Sequence, residues 1–407
     1  MGVLPSPSAI AEPPLRLPRD PQAPIYLDAH ATTPVDPRVL DTMLPYFSEH
    51  YGNAGSTTHA YGWTAQAAID QARTTLANAI GATPEEIIFT SGATEANNLA
   101  IKGIAEAYLD KGRHLITVVT EHSAVLNPCR YLETLGWRVT YLPVDPQGLI
   151  NLDDLAAAIA DDTILVSVMA ANNEIGVLQD LTAIGQLCRD RNILFHTDAA
   201  QAISKIPLNV DTQAIDLMSL TAHKIYGPKG IGALYIRRRP RVNLAPQLHG
   251  GGQERGLRSG TLCVPLIIGL AHAVDLGLQL QATENQRIQA LRDRHWGHLQ
   301  PQTSGLTVYL NGHPTQRLAG NLNLSLPHIK PADLLRELRP KIALSSGSAC
   351  SSTASQLSPV LKALGEPDRQ TCTNLRFGIS RFTTLNDVDT AGKLLLTAAR
   401  SLQPARP

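Results

Sequence analysis

The chain has 407 residues, with 35 basic and 35 acidic side chains that leave its formal charge at zero. Hydrophobic residues make up 43% and charged residues 17%, which excludes a disordered chain, and no uncharged apolar run of about 18 residues offers a membrane span. Balanced charge also removes nucleic acid and anionic membrane as main partners, since both favour a basic excess.

Residues 1–24 are rich in proline and lack a continuous apolar stretch, so they do not read as a secretory signal. Arg16 and Arg19 stand beside Glu12 and Asp20, unlike an acid-poor transit peptide, and a flexible arm is expected. From residue 25, short β-branched runs alternate with segments of helical period. Strands are expected at 86–89, 115–119, 139–142, 164–169, 193–195 and 231–236, and helices at 64–80, 95–109, 152–160 and 181–189. This alternation predicts an α/β architecture, a mainly parallel sheet covered by helices on both faces. After about residue 270 a long helical pattern over 266–299 leads to strands near 306–310 and 321–326 and helices near 332–339 and 357–364. A large α/β domain over 25–270 and a smaller α+β domain over 271–407 follow, with the boundary inside the long helix.

The cysteines are Cys129, Cys188, Cys263, Cys350 and Cys372. An odd count, wide spacing and no CxxC pair argue against a disulfide framework or a structural zinc site and for a reducing compartment. Ligands of open α/β sheets sit at the carboxyl ends of strands, so the residues after each strand matter most. Thr90-Ser91-Gly92-Ala93-Thr94-Glu95 opens a helix and offers a phosphate cradle or an ordinary N-cap. His122 follows the next strand, where it either stacks and shuttles protons or is simply hydrogen-bonded. Asn172 and Asn173 follow the strand at 164–169, and Asp198 and Gln201 the one at 193–195, where Asp198 is either a ligand-binding carboxylate or a helix cap. Lys224 lies between a buried run and a Gly-Pro turn; it is either a desolvated amine able to form a Schiff base or one flank of a surface turn. A phosphate cradle, a strand-end carboxylate and a buried lysine together match the needs of pyridoxal phosphate.

Nine stretches, in order, carry a family resemblance. They are YLDAHATTPVDPRV (26–39), TSGATEANN (90–98), TEHSAV (120–125), NNEIGVLQD (172–180), HTDAAQA (196–202), TAHKIYGPKGIGALY (221–235), GGGQERGLRSGT (250–261), SSGSACSS (345–352) and LRFGISRFTT (375–384). From about residue 25 to 387 the chain resembles the cysteine desulfurases, pyridoxal-phosphate enzymes of fold type I and aminotransferase class V, with their seven-stranded-type sheet. The resemblance implies that Lys224 holds the cofactor as a Schiff base, Asp198 pairs with its ring nitrogen, and His122 lies on the ring and moves protons. It gives Gln201 the ring hydroxyl and places Asn173 near the same edge and the substrate. Phosphate contacts fall to Ala93, Thr94, Thr221 and His223, with Thr261 supplied by the second subunit of a homodimer. Arg376 takes the substrate carboxylate as a fork. Cys350 is the nucleophile, in a small, polar and therefore mobile loop at about 343–356. The implied reaction turns L-cysteine into L-alanine and leaves a persulfide on Cys350 for a sulfur-acceptor or iron–sulfur scaffold protein, in the cytoplasm. No metal is expected in the site.

This chain departs from the family pattern at His30, where small residues are common; an imidazole near the substrate entrance is the expectation. Ala170-Ala171 and Thr221 also differ, without loss of a required group. The long serine-rich loop around Cys350 resembles the iron–sulfur branch. A lyase or aminotransferase acting on another amino acid such as selenocysteine, and a catalytically silent sulfur-trafficking partner, are the alternatives. A cysteine–histidine hydrolase leaves Lys224, Asp198 and the cradle without roles.

Overall fold

The computed structural model describes residues 13, 15, 20, 22–346, 358–365 and 372–402. Cys350, and all but the first few residues of the loop expected around it, lie outside the described residues, as does most of the expected arm.

A short strand, β1 (Ile25–Tyr26), precedes the seven of the main sheet: β2 (Ile87–Thr90), β3 (His114–Val118), β4 (Arg138–Leu142), β5 (Thr163–Ser167), β6 (Leu194–Asp198), β7 (Leu217–Thr221) and β8 (Gly232–Ile236). Across the sheet they run β2-β8-β7-β6-β5-β3-β4. The five from β7 to β4 are mutually parallel, and β8 is antiparallel to both of its neighbours. The α/β expectation holds. β3, β5, β7 and β8 are buried along their whole length because helices cover both faces, and adjacent side chains serve opposite layers. Thus Ile87 and Phe89 join one core while Ile88 joins the other.

The helix Val264–Leu299 continues the pattern expected from residue 266. Its first half packs Ile267, Leu270 and Val274 into the core of the main sheet, and its second half gives Ile288, Leu291 and Leu299 to a separate core. By length and composition it also passes for a membrane span, although Asp275 interrupts its uncharged run as the sequence indicates, and half of its most apolar stretch is buried in the protein. The second core gathers around a three-stranded antiparallel sheet of β9 (Tyr309–Leu310), β10 (Asn321–Leu326) and β12 (Thr373–Gly378), and the C-terminal helix Leu385–Leu402 packs into it. β1 pairs in parallel with β11 (Ile342–Ala343), so Ile25 and Leu27 pack with the C-terminal third of the chain. The helix Ser123–Thr134 escaped the periodicity because Pro128 lies inside it.

Candidate active site

Lys224 follows β7 in a turn that includes Tyr226, whose φ of 67° is left-handed. That conformation costs a non-glycine residue about 1–2 kcal/mol. Three contacts hold it. The Tyr226 carbonyl accepts the Asp36 amide at 2.9 Å, its hydroxyl accepts the Arg381 amide at 2.7 Å, and the Arg381 guanidinium lies 4.2 Å from its ring centre. Arg381 is itself buried between Asp36 and Glu284, at 2.8 and 2.5 Å. The turn therefore points inward, and the Lys224 amine donates to the carbonyls of His30 and Ala31 at 2.5 and 2.6 Å. The surface-turn reading of Lys224 does not survive.

At the carboxyl end of β2 the helix Ala93–Ala107 starts on Gly92, whose φ is 152°, without a side-chain cap. Its first N–H groups and the positive end of its dipole are left open to an anion beside Ala93 and Thr94. A Cβ on Gly92 would stand 3.9 Å from the Thr221 hydroxyl, which places the end of β7 beside this turn. Glu95, in the same first turn, is occupied by Arg258 at 2.8 Å. His223 bonds Thr32 at 3.2 Å through Nδ1, and burial, then the charge of Lys224, pushes it down to about 4. It is neutral at physiological pH.

Asp198 closes β6 and is buried. Its carboxylate accepts from Asn97 at 2.7 Å and from the Ala200 amide at 2.9 Å, and it has no ion-pair partner among the described residues. A buried carboxylate without a counter-charge is ready for a cationic ligand. His122 caps the next helix by accepting the Ala124 amide on Nδ1 at 3.1 Å, which leaves the proton of the neutral ring on Nε2. Burial lowers its pKa, Asp198 opposes this and Lys224 adds to it, so all three groups share one field.

Glu121 precedes His122 and has a different office. Its Oε1 accepts the Met169 amide at 2.5 Å, and its Oε2 is buried without a partner. Burial foremost, and the charge of Asp198, hold this carboxyl well above the usual carboxylate range. A raised carboxyl contributes stability that is complete below about pH 4 and is lost as pH rises through its folded value. Glu121→Gln cannot ionise, so it is expected to be more stable than wild type at about pH 9 and to lose that advantage by about pH 5. Urea midpoints at the two pH values decide it; a wild type that gains on the variant with rising pH contradicts a neutral Glu121.

Gln201 is buried, donates from Nε2 to the His30 carbonyl at 2.9 Å, and accepts on Oε1 from His30 Nδ1 and the Lys205 amine, both at 3.2 Å. His30 is thus not at an entrance: it is buried behind Gln201. Its Nε2 has no partner, and burial drives its pKa well below the usual value. On the opposite side Arg376 is buried and donates to the Asn173 carbonyl at 2.9 Å, Asp28 at 2.8 Å and Ser345 at 3.0 Å, while its Nε has no partner. Ser345 also exchanges backbone bonds with Arg376, so this first part of the expected mobile loop is fixed in place. Thr261 is exposed, and no hydrogen bond joins it to the other described residues of the site. Asn97 and Lys205 are neighbours of the site not singled out from the sequence. Asn97 lies within the stretch 90–98, one helical turn along from Ala93, and that spacing is the signal that could have found it.

The sequence profile of the aminotransferase class-V family matches residues 25–390. The chain is 49% identical over 388 residues to the cysteine desulfurase IscS of Rickettsia felis, covering 95% of this chain and 94% of that one. It is 51% identical over 384 residues to the cysteine desulfurase of Mus musculus, covering 94% and 83%. Among solved structures, a NifS-like protein superposes with a TM-score of 0.86 at 36% identity, over 93% of this chain and all of that one. A structure described as SspA in complex with cysteine gives 0.76 at 37%, over 88% and 99%. With Lys224, Asp198 and His122 converging at the strand ends of such a sheet, the chain belongs to the aminotransferase class-V family, among the cysteine desulfurases.

Proposed function

We propose that this protein converts L-cysteine to L-alanine with pyridoxal phosphate as its cofactor, as cysteine desulfurases in general do, and that Cys350 receives the sulfur. The observation that carries the reading is Asp198, a buried carboxylate without an ion-pair partner among the described residues, which is hydrogen-bonded to the helix that starts uncapped at Ala93 and acts on His122 together with Lys224. These donors fit the cofactor. The helix start at Ala93 and Thr94, with Thr221 and His223, would hold its phosphate, Asp198 its ring nitrogen and Gln201 its ring hydroxyl. Bound there, the group supplies an aldehyde for the Lys224 amine and a ring that withdraws electrons from the substrate α-carbon.

This chain's residues do the rest. Arg376 holds the substrate carboxylate with Asn173 beside it, which aims the α-hydrogen at a base. His122, neutral and with its own proton on Nε2, orients the reacting groups and carries protons. The Cys350 thiolate attacks the substrate sulfur: a sulfur–sulfur bond forms, the carbon–sulfur bond breaks, and the electron pair stays on carbon and is protonated to give alanine. The persulfide passes to a sulfur-acceptor protein, such as an iron–sulfur scaffold. The enzyme works in the cytoplasm as a homodimer in which Thr261 of each chain serves the partner's site.

Cysteine-dependent formation of alanine, with sulfide released by a reductant, tests the proposal directly. Cys350→Ala is expected to lose at least about a hundredfold in both products while still binding cofactor and cysteine. Full activity in that variant would remove Cys350 from the reaction.

A further inference from the structure

Gln201 is held more tightly than a single cofactor contact requires. Its Oε1 receives two donors, His30 Nδ1 and the Lys205 amine, each at 3.2 Å, and its Nε2 gives one hydrogen to the His30 carbonyl at 2.9 Å. That carbonyl also receives the Lys224 amine. An amide fixed in this way has one orientation only, oxygen toward Lys205 and nitrogen toward the His30 carbonyl, and one N–H remains to be directed elsewhere. Lys205 lies on the wall of a cavity of about 50 Å³, together with His30, Lys224, Gln281, Glu284 and Arg381. Glu284 is taken up by Arg381, so no carboxylate pairs with Lys205 among the described residues.

Resting on the cofactor reading above, we propose that Lys205 is a positioning residue which, with His30, locks the Gln201 amide and polarises its free N–H toward the ring hydroxyl of the cofactor. A cation on the oxygen side of an amide makes the N–H side a stronger donor, and a buried site of low dielectric amplifies the effect. Burial, then the charge of Lys224, pushes the Lys205 ammonium down to about 7. His223 and Arg376 also face this cluster, and the Arg381–Glu284 pair closes its far side. Covalent use of the Lys224 amine removes the neighbouring charge that depresses Lys205, and Lys205 then keeps its proton.

The test is the pH midpoint of the visible absorption band of the cofactor-loaded protein. A stronger N–H donor on the ring hydroxyl favours its deprotonated form, so Lys205→Met is expected to move the midpoint up by about one pH unit and to speed cofactor loss about tenfold. Lys205→Arg, which keeps charge and donor, is expected to restore at least half of the shift. In a Gln201→Ala background the Lys205→Met shift is expected to vanish, because Lys205 acts through that amide. An unchanged midpoint in Lys205→Met, or the same shift with and without Gln201, overturns the inference, and so does Lys205→Arg behaving like Lys205→Met while keeping the wild-type circular dichroism. Wild-type protein that develops no visible band with pyridoxal phosphate would instead overturn the cofactor reading itself.

Discussion

Lys224→Ala is expected to reduce alanine formation from cysteine by a factor of about 1,000 or more, because the covalent role proposed for it cannot be filled by a neighbouring side chain. Lys205 is the only other amine on the cavity wall, and its hydrogen bond goes to Gln201 rather than toward the His30 and Ala31 carbonyls that hold Lys224. Stability should change much less. The variant removes hydrogen bonds to two carbonyls, worth about 1.5–3 kcal/mol each as charge-assisted bonds, but it also relieves the crowding of Lys224 against Lys205. Alanine release and thermal unfolding measured on the same preparation separate the effects. A folded variant that keeps a tenth of wild-type activity would show that Lys224 is not the covalent residue.

The second large effect concerns Glu254, in the stretch that ends at Thr261. Glu254 is buried, in a left-handed conformation with φ of 49°, and its carboxylate meets Arg73 at 2.6 Å. The same carboxylate accepts the Phe89 amide of β2 at 2.7 Å, while Arg73 bonds the Ile87 carbonyl at 2.7 Å and lies 4.6 Å from the Phe89 ring centre. Removing one member of a buried pair strands the other charge. Glu254→Ala is therefore expected to lower folding stability by about 3–5 kcal/mol, read as a shift in the urea midpoint at unchanged slope. Glu254→Gln should recover the part due to the Phe89 amide. A loss below about 1 kcal/mol in the alanine variant would mean that solvent reaches Arg73.

The groups legible in the sequence are those whose position follows from chain order alone. Ala93, His122 and Lys224 each come just after a strand and Asp198 ends one, and strands running in parallel bring such residues to one edge whatever the details of packing. Residues that work across long separations left no such mark. Asn97 meets Asp198 across 101 positions and Arg381 meets Asp36 across 345, and neither pairing has a local pattern. His30 was placed in the right neighbourhood but facing the wrong way, since the direction of a side chain in a loop depends on partners such as Gln201, 171 residues on. Pro128 hid a real helix because a breaker residue outweighs periodicity when only local signals are read.

The pairing of β1 with β11 sets a timetable for the newborn chain. Tyr26 leaves the ribosome early, yet its partner Ala343 is made 317 residues later. At roughly 5–20 residues per second, Ile25 and Leu27 wait on the order of 16–60 s before their place in the second core exists. The main sheet, complete by Ile236, can close during that interval, whereas the second core can assemble only near the end of translation. A ribosome stalled before residue 342 would thus display a finished sheet with an apolar leading strand still exposed, the natural target for a chaperone.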